Sequence, residues 1–132
     1  MSAALFIVVE HEVPGLGTFV NGKALGRSNH LEGLAQRAGV RPLMEFFSMS
    51  PEEAAQAIEE LGGELPQDGL PAVQWFPAQE GLATVQGLLG QVTVDPQAIP
   101  DAEAVTSDLR EFEIVLSQLA AQGIRWHLGV DY

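Results

Sequence analysis

The sequence predicts a single α+β domain: a small sheet that includes paired N- and C-terminal strands, with about four helices packed mainly on one face. Three observations lead there. An apolar run rich in β-branched residues, Ala3 to Val9, lies near one end of the chain. An alternating run, Ile124 to Asp131, lies near the other. Between them the periodic segments step by the three and four residues of a helix. A lone strand leaves its backbone N–H and C=O groups unpaired, so the two terminal runs are expected to pair, in a direction the sequence leaves open. Helices then cover one face of that sheet.

Each element has its own grounds. Ala3 to Val9 lacks clean alternation, which suits a strand buried on both faces. Val13-Pro14-Gly15-Leu16-Gly17 is turn chemistry. Asn21-Gly22 leads into a short helical turn through Lys23 to Arg27. In SNHLEGLAQRAGV, Ser28 is placed to cap a helix whose face carries Leu31, Leu34, Ala35 and Ala38, and Gly39 ends it. RPLMEFFS, Arg41 to Ser48, has no clear period and reads as an irregular or short helical plug in the core.

Ser50-Pro51-Glu52-Glu53 is the clearest helix start. Ser50 can cap, proline suits the first helical position, and Glu53 completes a capping box. Ala54, Ala57, Ile58 and Leu61 form the expected buried stripe, and Gly62-Gly63 ends the helix. A Pro- and Gly-rich loop follows. In WFPAQEGLATVQGLLG, Trp75 to Gly90, Pro77 is expected in the first turn, with Glu80 near the positive end of the helix dipole. Leu82, Val85, Leu88, Leu89 and Val92 line its apolar face. The longest helix runs from about Asp101 to Gln122, carried by Val105, Leu109, Phe112, Leu116 and Leu119, and Gly123 stops it. In the last strand Trp126 shares a face with Ile124, Leu128 and Val130, while Arg125, His127, Gly129 and Asp131 share the other.

The 132 residues suit one domain, 1–132, able to bury its own core. The absence of cysteine excludes disulfides, thiolate metal sites and a cysteine nucleophile. The apolar run near the start is too short for a membrane span and has no basic residue before it, so a cytoplasmic protein is expected. The net charge of -12 disfavours nucleic acid as a partner. The charge is uneven. Gly22 to Met44 holds Lys23, Arg27, Arg37 and Arg41 against Glu32, a net +3 that leaves -15 for the rest. Lys23 and Arg27 are therefore the candidates for binding an anion, with ordinary solvated positions as the simpler alternative.

The familiar catalytic motifs are missing: the sequence has no G-x-S-x-G, H-E-x-x-H, P-loop or G-x-G-x-x-G. Of the three histidines, His30 is expected to be solvated in its helix. His11 lies between Glu10 and Glu12, and His127 lies four residues before Asp131. If the end strands pair, Glu10, His11, His127 and Asp131 are the set from which a divalent metal site or an acid–base pair would be built. Otherwise they are strand-end residues with no common target. Phe46-Phe47 and Trp126 read as core. Trp75 stands outside any periodic segment and is an interface candidate. Gly81, Gly87 and Gly90 each cost about 1 kcal/mol against alanine inside a helix. They are explained by close approach of another backbone, by fraying, or by a smooth surface for a partner.

The segments W-F-P-x-x-E-G-L-x-T-V (Trp75 to Val85), D-L-R-E-F-E-x-V-L (Asp108 to Leu116), a final W-H-L-x-V-D, N-G-K-A-L (Asn21 to Leu25) and R-P-L-M-E-F-F-S together resemble a group of small bacterial single-domain proteins with no assigned activity. The plan is also loosely similar to YfbM-like domains. The resemblance implies a standalone domain and carries no catalytic residue. The expected function is non-enzymatic and needs no cofactor. It is the binding of a protein partner, in its most specific form a basic one met in the manner of an inhibitor or immunity protein, or self-association. A metal-dependent enzyme built on Glu10, His11, His127 and Asp131 is the alternative, and a small-molecule binder using Lys23 and Arg27 comes third. No membrane partner is expected.

Overall fold

A computed structural model describes residues 4–11, 22–27, 30–60, 62–63 and 73–131. The turn at Val13 to Gly17, the cap at Ser28, the last stripe residue Leu61 and most of the loop before Val73 lie outside the described residues. The fold is α+β. The two terminal strands, β1 (Ala4–Val9) and β3 (Arg125–Asp131), pair antiparallel, with Val8 opposite His127 and Val9 opposite Trp126. β3 is central. Its second edge pairs antiparallel with β2 (Phe76–Pro77), giving the order β1-β3-β2.

β2 was not expected, and its origin is the unpaired edge of β3. Two residues are too few to show a period, yet they satisfy that edge at Trp126 and Arg125. Farther along, a parallel bridge from Phe47 to Leu128 continues the cover. There the N–H of Ser48 donates to the Leu128 carbonyl at 3.2 Å. The two short edge segments are tied together where the N–H of Gln74 donates to Ser48 Oγ at 2.8 Å.

The helices are α1 (Lys23–Arg27), α2 (Leu31–Ala38), α3 (Pro51–Glu60), α4 (Ala78–Val94) and α5 (Ala102–Gln122), with a 3-10 turn at Leu43–Phe46. α4 and α5 pack together most extensively and lie on the sheet face that carries Leu5, Ile7, Phe76, Trp126 and Leu128. All five expected core positions of α5 are buried, and Val115 and Asp108 join them. α2 packs on α4 through Leu34 and Ala35. Gly39 and Gly123 end α2 and α5 in the left-handed conformation that favours glycine. Leu43 and Phe46 of the 3-10 turn are buried, so RPLMEFFS is the core plug that its irregular pattern suggests.

Three local expectations change. Pro77 is not in the first helical turn but in extended conformation at the N-cap of α4, because its carbonyl side still belongs to β2. The N-cap position of α2 is His30, which is exposed and makes no side-chain capping hydrogen bond. In α3 the Ser50 cap forms, with the N–H of Glu53 donating to Ser50 Oγ at 3.2 Å. The stripe behind it is shallower than expected: Ala54, Ala57 and Ile58 are half-buried and no residue of α3 is fully buried. Periodicity fixes which face of a helix is apolar and says nothing about how much protein lies over it.

α1 is too short to be stable alone. It is held from outside. Gly22 bridges Leu5 of β1, where the Leu5 N–H donates to the Gly22 carbonyl at 3.1 Å. The buried carboxylate of Asp108, from α5, accepts the N–H groups of Ala24 (2.9 Å) and Leu25 (3.3 Å). A carboxylate at a helix N-terminus meets both the unpaired N–H groups and the positive end of the dipole. This contact joins segments more than 80 residues apart. Asp108→Ala is expected to cost about 3 kcal/mol, because it strands two buried donors. Asp108→Asn, which keeps one acceptor, should cost less. Urea unfolding measures both, and an unchanged midpoint in Asp108→Ala would show that the carboxylate does not hold α1.

Candidate functional site

Two of the segments singled out by resemblance, Arg41 to Ser48 and Trp75 to Val85, meet on the last one, β3. Trp126 is fully buried, with Phe46 stacked on it at 5.2 Å and 28°. Phe76 meets Phe46 edge-on at 5.2 Å. Arg41 lies over both phenyl rings, 4.9 Å from Phe46 and 5.0 Å from Phe76, with Glu45 and Glu80 within ion-pair distance (3.4 and 3.8 Å). The Arg41 carbonyl accepts the hydroxyl of Thr84 at 2.8 Å, tying this corner to α4. Arg41 was read from sequence only as part of a basic segment. Its stacking role depends on residues five and 35 positions away and has no local signal.

Gly81 of α4 lies against Trp126. A Cβ there would come within 2.3 Å of Trp126 Cζ2. Gly87 faces the end of α2 and Val40, two residues beyond it: a Cβ would sit 2.8 Å from Val40 Cγ1 and 3.3 Å from Ala38 Cβ. Close approach accounts for these two, but of side chains rather than of the second backbone expected from the sequence. Both are turned to the body of the protein. Gly90 is exposed and a Cβ would meet nothing within 4 Å.

His127 corrects a reading of the pattern. It alternates with Trp126 and was assigned to a polar face, yet it is 4% exposed. At His127 and Gly129 the outer face of β3 is buried too, because side chains cover it there. The Trp75 ring lies 4.9 Å from the imidazole. His127 Nδ1 is 3.1 Å from the Leu128 carbonyl, which can only accept, so Nδ1 carries the hydrogen. Two residues on, Phe6 fills the space above Gly129 and stays 38% exposed. Trp75, His127, Val8 and Phe6 thus form one row across the outer face. Trp75 is half-buried in it.

The proposed metal set is not brought to one point. Glu10 pairs with Arg125 and with His11 Nε2, the latter at 3.1 Å. Asp131 is opposite Ala4, at the other end of the ladder. At the rise of an extended strand this separates it from Glu10 by roughly 20 Å. Among the described residues no group of three His, Asp or Glu is placed to hold a metal ion. For the anion candidates, Lys23 is exposed at the start of α1, and Arg27 ends that helix. The N–H groups at the start of α1 already face the Asp108 carboxylate, so an anion there would meet a negative charge.

A second feature went unnoticed in the sequence. A groove of about 270 Å³ runs between the start of α2 and the 3-10 turn, lined by Leu31, Glu32, Pro42, Leu43, Met44 and Glu45. Met44 is 53% exposed at its side. Nothing in a short irregular segment signals which residue faces out. No helix is long and apolar enough to cross a membrane among the described residues. Comparison of the chain with family models, curated proteins and solved structures finds no match.

The three glycines of α4 give a direct test of these placements. Gly81→Ala is expected to lose about 2–3 kcal/mol by overpacking against the indole. Gly87→Ala should lose less, since the Val40 side chain can shift. Gly90→Ala should gain up to about 1 kcal/mol, the difference in helix propensity. Thermal unfolding of the three variants measures the order, and a destabilised Gly90→Ala would contradict the open surface at that position.

Proposed function

We propose that this protein is a non-enzymatic, cytoplasmic binding module that engages another protein, with an inhibitor-type role toward a basic partner as its most specific form. The observation that supports this is the row on the outer sheet face. Aromatic and apolar side chains stand side by side there, with Phe6 and Trp75 still reaching solvent. Trp and Phe anchors of this kind dominate interface energetics, because they remove large areas from water at small entropic cost. The net charge of -12 adds a long-range attraction for basic proteins and raises their encounter rate.

The row sits on a sheet that the core holds rigid, which favours binding without rearrangement. Phe6→Asp places a charge in the row at a position that already faces solvent, so the fold should survive. Trp75→Ala removes the larger ring. Binding through this face predicts that Phe6→Asp abolishes co-purification of a partner from the native host, or abolishes a dimer seen by sedimentation. Circular dichroism should stay unchanged. A wild-type chain that sediments as a 14.1 kDa monomer at all concentrations and captures nothing that the variant loses would defeat the reading.

A further inference from the structure

We infer that the groove between α2 and the 3-10 turn is a docking site for a basic protein segment: one apolar anchor residue flanked by lysine or arginine. The inference rests on reading the protein as a binding module, but it concerns a different surface from the outer sheet face. Leu43 forms the buried floor, Leu31 and Pro42 are half-buried, and Met44 stands exposed at the side. The volume of about 270 Å³ suits one large side chain and falls below that of an ordinary small-molecule pocket. Methionine is unbranched and polarisable, and it adapts its shape to what it meets.

The charge identifies the occupant. Glu32 and Glu45 line the groove, and among the described residues none that lines it is basic. Arg41, beside the 3-10 turn, pairs with the groove's Glu45 and also with Glu80, while its guanidinium lies over Phe46 and Phe76, so one cation is shared between two carboxylates and Glu32 stands apart from it. Glu32, Glu45 and Glu80 therefore outnumber Arg41 on this side of the molecule. An anchor side chain entering the groove loses water against Leu31, Leu43 and Met44, while its basic neighbours meet the two carboxylates at the rim. An acidic segment would be repelled by the same groups, so the site discriminates by sign as well as by shape.

The test uses the whole protein with its methionine methyl groups carrying carbon-13, and a capped synthetic peptide with one central leucine flanked by lysines. Met44 gives its own methyl signal, with Met49 as an internal reference outside the groove. The expected result is a saturable shift of the Met44 signal and little change at Met49. Replacing leucine by glycine in the peptide, or lysines by glutamates, should remove the shift. Glu32→Gln combined with Glu45→Gln keeps the groove's size and should weaken the lysine peptide by about tenfold, the worth of two exposed ion pairs. Equal binding of the glycine peptide would reduce the effect to charge alone and overturn the inference. So would an unmoved Met44 signal, or a Met44 signal that shifts with protein concentration in the absence of peptide, which assigns the groove to a second copy. The outer-face reading stands or falls separately: a silent groove in a protein whose partner is still lost on Phe6→Asp defeats this inference and leaves that reading intact.

Discussion

The structure depends on the burial of Trp126 in a strand that is covered on both faces and bonded on both edges. Three separate parts of the chain reach this indole. α4 presents Gly81 to it, the 3-10 turn presents Phe46, and β2 pairs with it through Phe76. The balance of magnitudes favours the arrangement. Burying a large aromatic side chain contributes about 3 kcal/mol, and each well-formed ring pair adds about 1 kcal/mol. Against this, Trp126 Nε1 is buried without a hydrogen-bond partner, which costs about 1–3 kcal/mol. Two ring contacts and the burial of Phe46 and Phe76 along with the indole exceed that penalty. The indole also dictates sequence elsewhere: any side chain at position 81 would push α4 off the sheet, and α4 carries much of the α5 interface.

The second anchor is electrostatic and acts from within α5. The Asp108 carboxylate gives the five-residue α1 the cap that its own sequence lacks. α1 is joined to β1 through Gly22, so one buried acid links the longest helix, the shortest helix and the sheet. The hydrophobic contacts of α5 fix its distance from the sheet, but they are non-directional. The two N–H bonds to Asp108 add direction, because a carboxylate satisfies them only in one placement of α1.

Much of this was legible in the sequence, for reasons that differ by element. α5 was readable because 21 residues give the helical period room to repeat, and its five predicted positions are all buried. The ends of α2 and α5 were readable because Gly39 and Gly123 sit where a left-handed residue is needed. β2 was not readable, since two residues carry no period and one is proline; it exists because β3 has an edge to satisfy. His127 was misplaced because alternation assumes one dry face and one wet face, and a central strand has two dry ones. The glycines of α4 show the limit most clearly. Gly81 and Gly90 are the same residue in the same helix, one required by a tryptophan 45 positions away and the other unopposed. The candidate surfaces had the same fate: Trp75 could be singled out by its isolation, but its contact with His127 and the exposure of Met44 arise only from tertiary packing.

The net charge and the apolar surfaces act over different distances. At physiological ionic strength an exposed charge is screened over about 8 Å, so the overall charge of -12 favours the approach of any basic partner without selecting where it lands. Landing is decided by contacts a few ångströms long. The outer sheet row offers aromatic area beside a carboxylate, Glu10, that Arg125 already pairs. The groove at Met44 offers less area, but its two lining acids include Glu32, away from the Arg41 corner. Salt dependence of binding therefore reports approach and is shared by every surface of an acidic protein. What separates one surface from another is the loss on removing an uncharged side chain, because only the surface in contact gives up apolar burial when it is cut back.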